Sequence, residues 1–188
     1  MNTERLLRLA AVMDLVPPRK YDQNSFHSGE VSSRKVSFEP FEPSNPNGCD
    51  YAAVIPKEGF CGSSACVLGQ AAFEKDMGVF AYVEKDNILT VCGRRQSGDL
   101  MIGAFDDEGK LVNDEYRAAS IAFDIPYTHA SILFGGTGGW ETRHFYTGRF
   151  TEDGGEWVGP KVVAAKLRAY VVSGGQTAED TINVYAML

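Results

Sequence analysis

Apolar positions in the first sixteen residues recur at three- and four-residue intervals, with Leu6, Leu9, Ala10 and Met13 on one face. That spacing predicts an amphipathic helix over residues 3–16. Asn2 or Thr3 can cap it by accepting from an orphan backbone N–H, and Glu4 lies near the positive end of its dipole. Pro17 and Pro18 end it, since proline lacks the N–H and restricts the residue before it. The pattern is equally legible near the other end. Pro160 suits the first helical position, Val163, Leu167 and Tyr170 share a face, and Ser173-Gly174-Gly175 supplies a stop, giving a helix over 160–172.

Between them the periodicity changes several times. Small and apolar residues (Ala65, Leu68, Ala72, Phe73) predict a closely packed helix over 62–77, starting near Gly62 or Ser63. Short runs rich in β-formers follow: Val79–Val83, Ile88–Cys92, Leu100–Phe105 and Lys110–Val112. Turn residues separate them, so 78–113 reads as an antiparallel meander of three or four strands. Asp114 is an N-cap candidate for helical patterning over 114–134, interrupted at Pro126. Residues 19–59 break every period with Pro40, Pro43, Pro46 and Pro56, leaving one short strand at Val31–Phe38. So long an irregular stretch is uncommon in a compact domain, and marks a functional loop or a segment that wraps a partner. The tail 176–188 is either a last strand or a docking segment. The expected fold is α+β: a small frame of about four helices carrying the meander as an insert, all within one domain, 1–188.

Composition narrows the function classes. The 188 residues are 44% hydrophobic and 23% charged, ordinary for a globular chain. A formal charge of −7 disfavours a general nucleic-acid or anionic-membrane binder. Apolar runs fall far short of the roughly 20 residues of a membrane helix. The N-terminus lacks the pattern of a secretory signal, so the expected location is the cytoplasm, with the four cysteines reduced.

Several segments together resemble a known grouping. LxxLAxxxDxxPPxxYD, CGSSACVLGQA, AFDIPYTHASILFGG and VVAAKLRAYV occur in that order. The matching residues are Cys61, Gly62, Ser63, Ala65, Cys66, Gly69 and Ala71, then Ala130, Leu133 and Phe134, and finally Ala164, Ala165, Leu167 and Arg168. The chain resembles a loose group of uncharacterised small bacterial and bacteriophage proteins with a Cys-Gly-Thr/Ser-x-Ala-Cys-x-x-Gly segment. Over about half of the chain, the resemblance implies a fold and a phage or prophage setting, without implying a reaction.

Candidate chemistry is sparse. Cys61, placed at the start of a helix, would have its thiol pKa lowered by the dipole and unpaired N–H groups, and His144 or His27 would be the base of a cysteine hydrolase or transferase. The competing reading makes Cys61 and Cys66 small buried hydrophobes at a seam where Gly62, Ala65, Gly69 and Ala72 admit a close neighbour. A zinc site would need two close ligand pairs, whereas Cys61 and Cys66 form one wide pair and Cys49 and Cys92 stand alone. No metal or cofactor is expected. The run FGGTGGWETRHF lacks the Gly-Lys-Ser/Thr ending of a phosphate loop, but Trp140, Arg143, His144 and Tyr146 are candidates to hold a small ligand such as a nucleotide. The bland alternative is a surface turn pinned by one tryptophan. Arg94–Arg95 and Asp106–Glu108 read as turn tips, and His129 as a packed histidine. The leading expectation is a non-catalytic interaction protein with a protein partner. Its contact surface would be the proline-rich segment, the hairpin tips and the Gly/Trp loop, and homo-oligomer formation stays open.

Overall fold

In a computed structural model, the structure describes residues 1–21, 36–42, 50–57, 65–84, 100–134 and 159–176. Helix α1 (Thr3–Leu15) forms where its periodicity predicts. Asn2 caps it, with Oδ1 accepting from the Arg5 N–H at 3.1 Å, and Leu6, Leu9, Ala10 and Met13 are buried. A short 3-10 turn, Pro18–Lys20, follows the two prolines.

The strands are β1 (Val36–Phe41), β2 (Tyr51–Pro56), β3 (Phe80–Glu84), β4 (Met101–Phe105) and β5 (Leu111–Val112). They form one antiparallel sheet in the order β1-β2-β3-β4-β5. Two of these strands lie in the stretch expected to be irregular; the first, Val36–Phe41, continues past the expected end at Phe38, and residues 31–35 of that expectation lie outside the described residues. Proline is tolerated on an edge strand and at a strand end, where no ladder donor is needed. Pro40 sits in β1, at the edge of the described sheet, and Pro56 closes β2. The expected strand at Ile88–Cys92 and the tail 177–188 lie outside the described residues.

Helix α2 is Val67–Ala72, much shorter than the 62–77 expected. Ala65 is extended instead: it makes a parallel bridge with Tyr21, and its N–H donates to the Lys20 carbonyl at 3.1 Å. Glycine and alanine alone do not distinguish a helix from a closely packed extended segment, and here backbone pairing decides. Cys66 is then the N-cap, with Sγ 3.5 Å from the Gly69 nitrogen. Helix α3 (Glu115–Phe123) is capped by Asp114, whose Oδ1 accepts from the Arg117 N–H at 2.7 Å. It ends at Asp124 in the left-handed conformation (φ 51°), and Pro126 separates it from α4 (Tyr127–Phe134). The expected 114–134 patterning is thus two helices. Helix α5 (Pro160–Val172) starts on its proline and stops at Gly174 and Gly175, both with positive φ.

The helices cover one face of the sheet. A single cluster joins Leu6, Leu9 and Met13 of α1 to Leu68 of α2, Ala122 and Phe123 of α3, Leu133 of α4, and Leu167 and Tyr170 of α5. Val54, Ala81, Val83, Ile102 and Ala104 enter that cluster from the strands. The meander therefore shares the helical core. Helix α1 packs against α5, where Arg168 pairs with Asp14. Against water this exposed pair contributes about 0–1 kcal/mol, so buried apolar contact is the main link between the two helices.

Candidate functional site

Residues opposite one another in an antiparallel ladder share a face, and successive residues alternate. The pairings Phe41↔Tyr51, Ala53↔Tyr82, Phe80↔Gly103 and Tyr82↔Met101 therefore place Phe41, Tyr51, Phe80, Tyr82 and Phe105 together, on the face turned away from the helices. Their rings form one connected group. Phe41 meets Phe80 edge-on at 5.4 Å and Phe105 edge-on at 5.5 Å, while Phe80 and Phe105 stack at 5.0 Å. Tyr51 and Tyr82 meet edge-on at 5.4 Å. Edge-on and offset geometries align the positive ring edge with a negative face, adding about 0.5–1.5 kcal/mol per pair beyond burial.

The group is graded in exposure. Tyr82 and Tyr51 are buried, Phe41 and Phe80 are half-buried, and Phe105 is 42% exposed. Burial, with Tyr51 and Glu84 nearby, pushes the Tyr82 hydroxyl up to about 12, so it stays a neutral donor at neutral pH. Gly103 leaves room for the rings: a Cβ there would stand 2.9 Å from Tyr82 Cε1 and 2.8 Å from Leu111 Cδ1. Glu39 and Glu84 lie on the same face by register, and they are the only charged residues in the described strands.

Cys61, His27, His144, Trp140, Arg143 and Tyr146 lie outside the described residues, as do Cys49, Cys92, Arg94 and Arg95. The helix whose dipole was expected to act on Cys61 begins at Val67, so the described helix start falls beside Cys66 instead. Cys66 is 3% exposed and occupied as a cap. His129 is packed as expected, with Nδ1 2.8 Å from the Tyr170 hydroxyl and the two rings edge-on. Asp106 serves its hairpin: Oδ1 accepts from the backbone N–H groups of Glu108 (3.0 Å) and Lys110 (2.8 Å). Lys166 donates to the Ile132 carbonyl at 2.6 Å, in the last turn of α4. Crowding around its ammonium pulls its pKa down to about 8, although water still reaches part of the side chain.

Among the described residues, no three histidine, cysteine or acidic side chains are grouped to hold a metal ion, and no helix is long and apolar enough to cross a membrane. The aromatic face was not anticipated. Its signal was the alternation Phe80-x-Tyr82 and Met101-x-Gly103-x-Phe105. The chain matches no family model, no curated protein and no solved structure. The described residues define an α+β protein with a five-stranded antiparallel sheet, helices on one side and aromatic rings on the other.

Proposed function

We propose that this chain is a non-catalytic binding protein, a phage- or prophage-borne accessory factor that engages a protein partner through the aromatic face of its sheet. The observation that carries the reading is the graded ring group, buried at Tyr82 and open at Phe105. Contiguous apolar surface of this kind marks interaction sites, and aromatic residues are enriched where proteins meet. Phe41 and Tyr51 come from the segment expected to wrap a partner, and Phe105 opens the β4–β5 hairpin, so two of the three anticipated contact regions contribute to one face.

The test compares affinity capture by the wild-type chain, Phe105→Ser and Leu15→Ser, the last altering an exposed apolar residue of α1. A partner held by the wild type and Leu15→Ser but lost by Phe105→Ser, and behaving the same way when purified, supports the reading. Equal retention by all three chains refutes it. Rapid thiol labelling of Cys61 at neutral pH, coupled to turnover of an ester or thioester, would replace it with a cysteine enzyme.

A further inference from the structure

We propose that the aromatic face takes an arginine-bearing segment of its partner, the guanidinium groups lying on the open rings and pairing with Glu39 and Glu84. This rests on the binding reading above and names the chemistry of the occupant. Ring faces carry partial negative charge and attract cations. Here the exposed Phe105 and the half-buried Phe41 and Phe80 share their face, within the described strands, with carboxylates as the only charged groups. Glu39 lies two residues before Phe41 on the same strand face, and Glu84 is directly opposite Tyr51 and two residues beyond Tyr82. Glu39 is exposed and Glu84 half-buried.

Charge complementarity selects among occupants. A second copy of this chain would set Glu39 and Glu84 against the same residues, and would add its own −7 to an equal charge. An anionic ligand meets the same repulsion. A neutral apolar segment would fill the rings but leave both carboxylates without a counter-charge. Arginine satisfies both parts of the face at once: its plane stacks on an aromatic ring while its edge donates to a carboxylate. Lysine, a strongly hydrated point charge, does only the second well.

The experiment uses the full chain and a fluorescent, end-blocked peptide of alternating arginine and valine. Its twin carries citrulline at every arginine, which keeps the shape and removes the charge. Binding is read by anisotropy at low and at near-physiological salt. The arginine peptide is expected to bind about tenfold more tightly than the citrulline twin. Glu39→Gln/Glu84→Gln should weaken it about fivefold and flatten its salt dependence. Glu74→Gln/Asp76→Asn, which removes the same charge from the α2–β3 turn, should leave affinity within about twofold.

Equal losses in the two double variants mean general acidity at work and overturn the proposal, as do equal affinities of the two peptides or no binding of either. Loss of both peptides with Phe105→Ser, without preference for arginine, keeps the binding face and discards the cation. Full retention of peptide binding with Phe105→Ser discards the face itself.

Discussion

Replacing Gly78 by alanine tests how α1 is fastened to the rest of the core. Gly78 has φ +82°, a region that costs an L-residue about 1–2 kcal/mol. A Cβ there would overlap Arg5 Nη1 and stand 3.1 Å from Ala122 Cβ. That guanidinium nitrogen donates to the Ala122 carbonyl at 2.7 Å, in the last turn of α3, where a cation is favoured by the helix dipole. Displacing it forfeits a charge-assisted hydrogen bond, worth about 1.5 kcal/mol for a partly exposed group. Gly78→Ala should therefore cost about 3 kcal/mol, the sum of backbone strain and the lost bond.

The two contributions separate in a double-mutant cycle with Arg5→Met, which keeps the apolar stem and removes the guanidinium. In that background Gly78→Ala should cost only the strain, leaving a coupling of about 1.5 kcal/mol. Urea unfolding followed by far-ultraviolet circular dichroism reads each corner, with an unchanged slope confirming that stability alone has moved. An identical cost of Gly78→Ala in both backgrounds would refute the seating of Arg5 between the β3 approach and the end of α3.

Gly103→Ala should destabilise by about 1–3 kcal/mol in the same assay, because its methyl would press on Tyr82 and Leu111 inside the ring group; trimming Leu111 to alanine should relieve part of that loss. Stability should climb with pH between about 8 and 10.5, since unfolded Lys166 holds its proton across that window while the folded chain has released it, and Lys166→Met should flatten the climb. From about pH 10 an opposing loss sets in: unfolded Tyr82 ionises near 10.0 while the folded hydroxyl keeps its proton to about 12, and burial raises Tyr116 and Tyr170 in the same sense, so Tyr82→Phe should remove part of that loss. Cys66 should resist thiol reagents until the chain unfolds, which mass spectrometry of labelled peptides checks; native labelling would contradict its burial as the α2 cap.

The helices at the two ends were legible because local signals agreed. Asn2, the Leu6/Leu9/Met13 stripe and Pro17-Pro18 all point to α1, and Pro160 with Gly174 and Gly175 brackets α5. Such agreement needs no knowledge of the rest of the chain. Helix α2 reads as longer than it is because its neighbours are glycine, serine and alanine, whose pattern fits close approach of any kind; the bridge between Ala65 and Tyr21 is a long-range fact. Strand β1 is legible only over Val36–Phe38 and β2 not at all, for the opposite reason. Prolines read locally as breakers, although Pro40 and Pro56 stand where a strand admits them, and the apolar run Tyr51–Ile55 between them is ordinary strand sequence.

The aromatic face was hidden by the same distinction between local and distant information, and the sizes of the side chains explain why it exists. On the helix-covered face the strands present Ala81, Val83, Ile102 and Ala104, and α3 answers with Ala118, Ala119 and Ala122, so the layers approach closely there. The opposite face has no described helix against it, and among the described residues its apolar side chains cover one another. Large rings do this best: Phe41, Phe80 and Phe105 lean on one another, Tyr82 fills the space above Gly103, and Phe105 stays open at the end. A face meant only to meet water would carry alternating polar residues, as one-sided antiparallel sheets do. Within the described strands this one carries Glu39 and Glu84 as its only charges beside five aromatic rings, the composition on which the proposed contact with a partner rests.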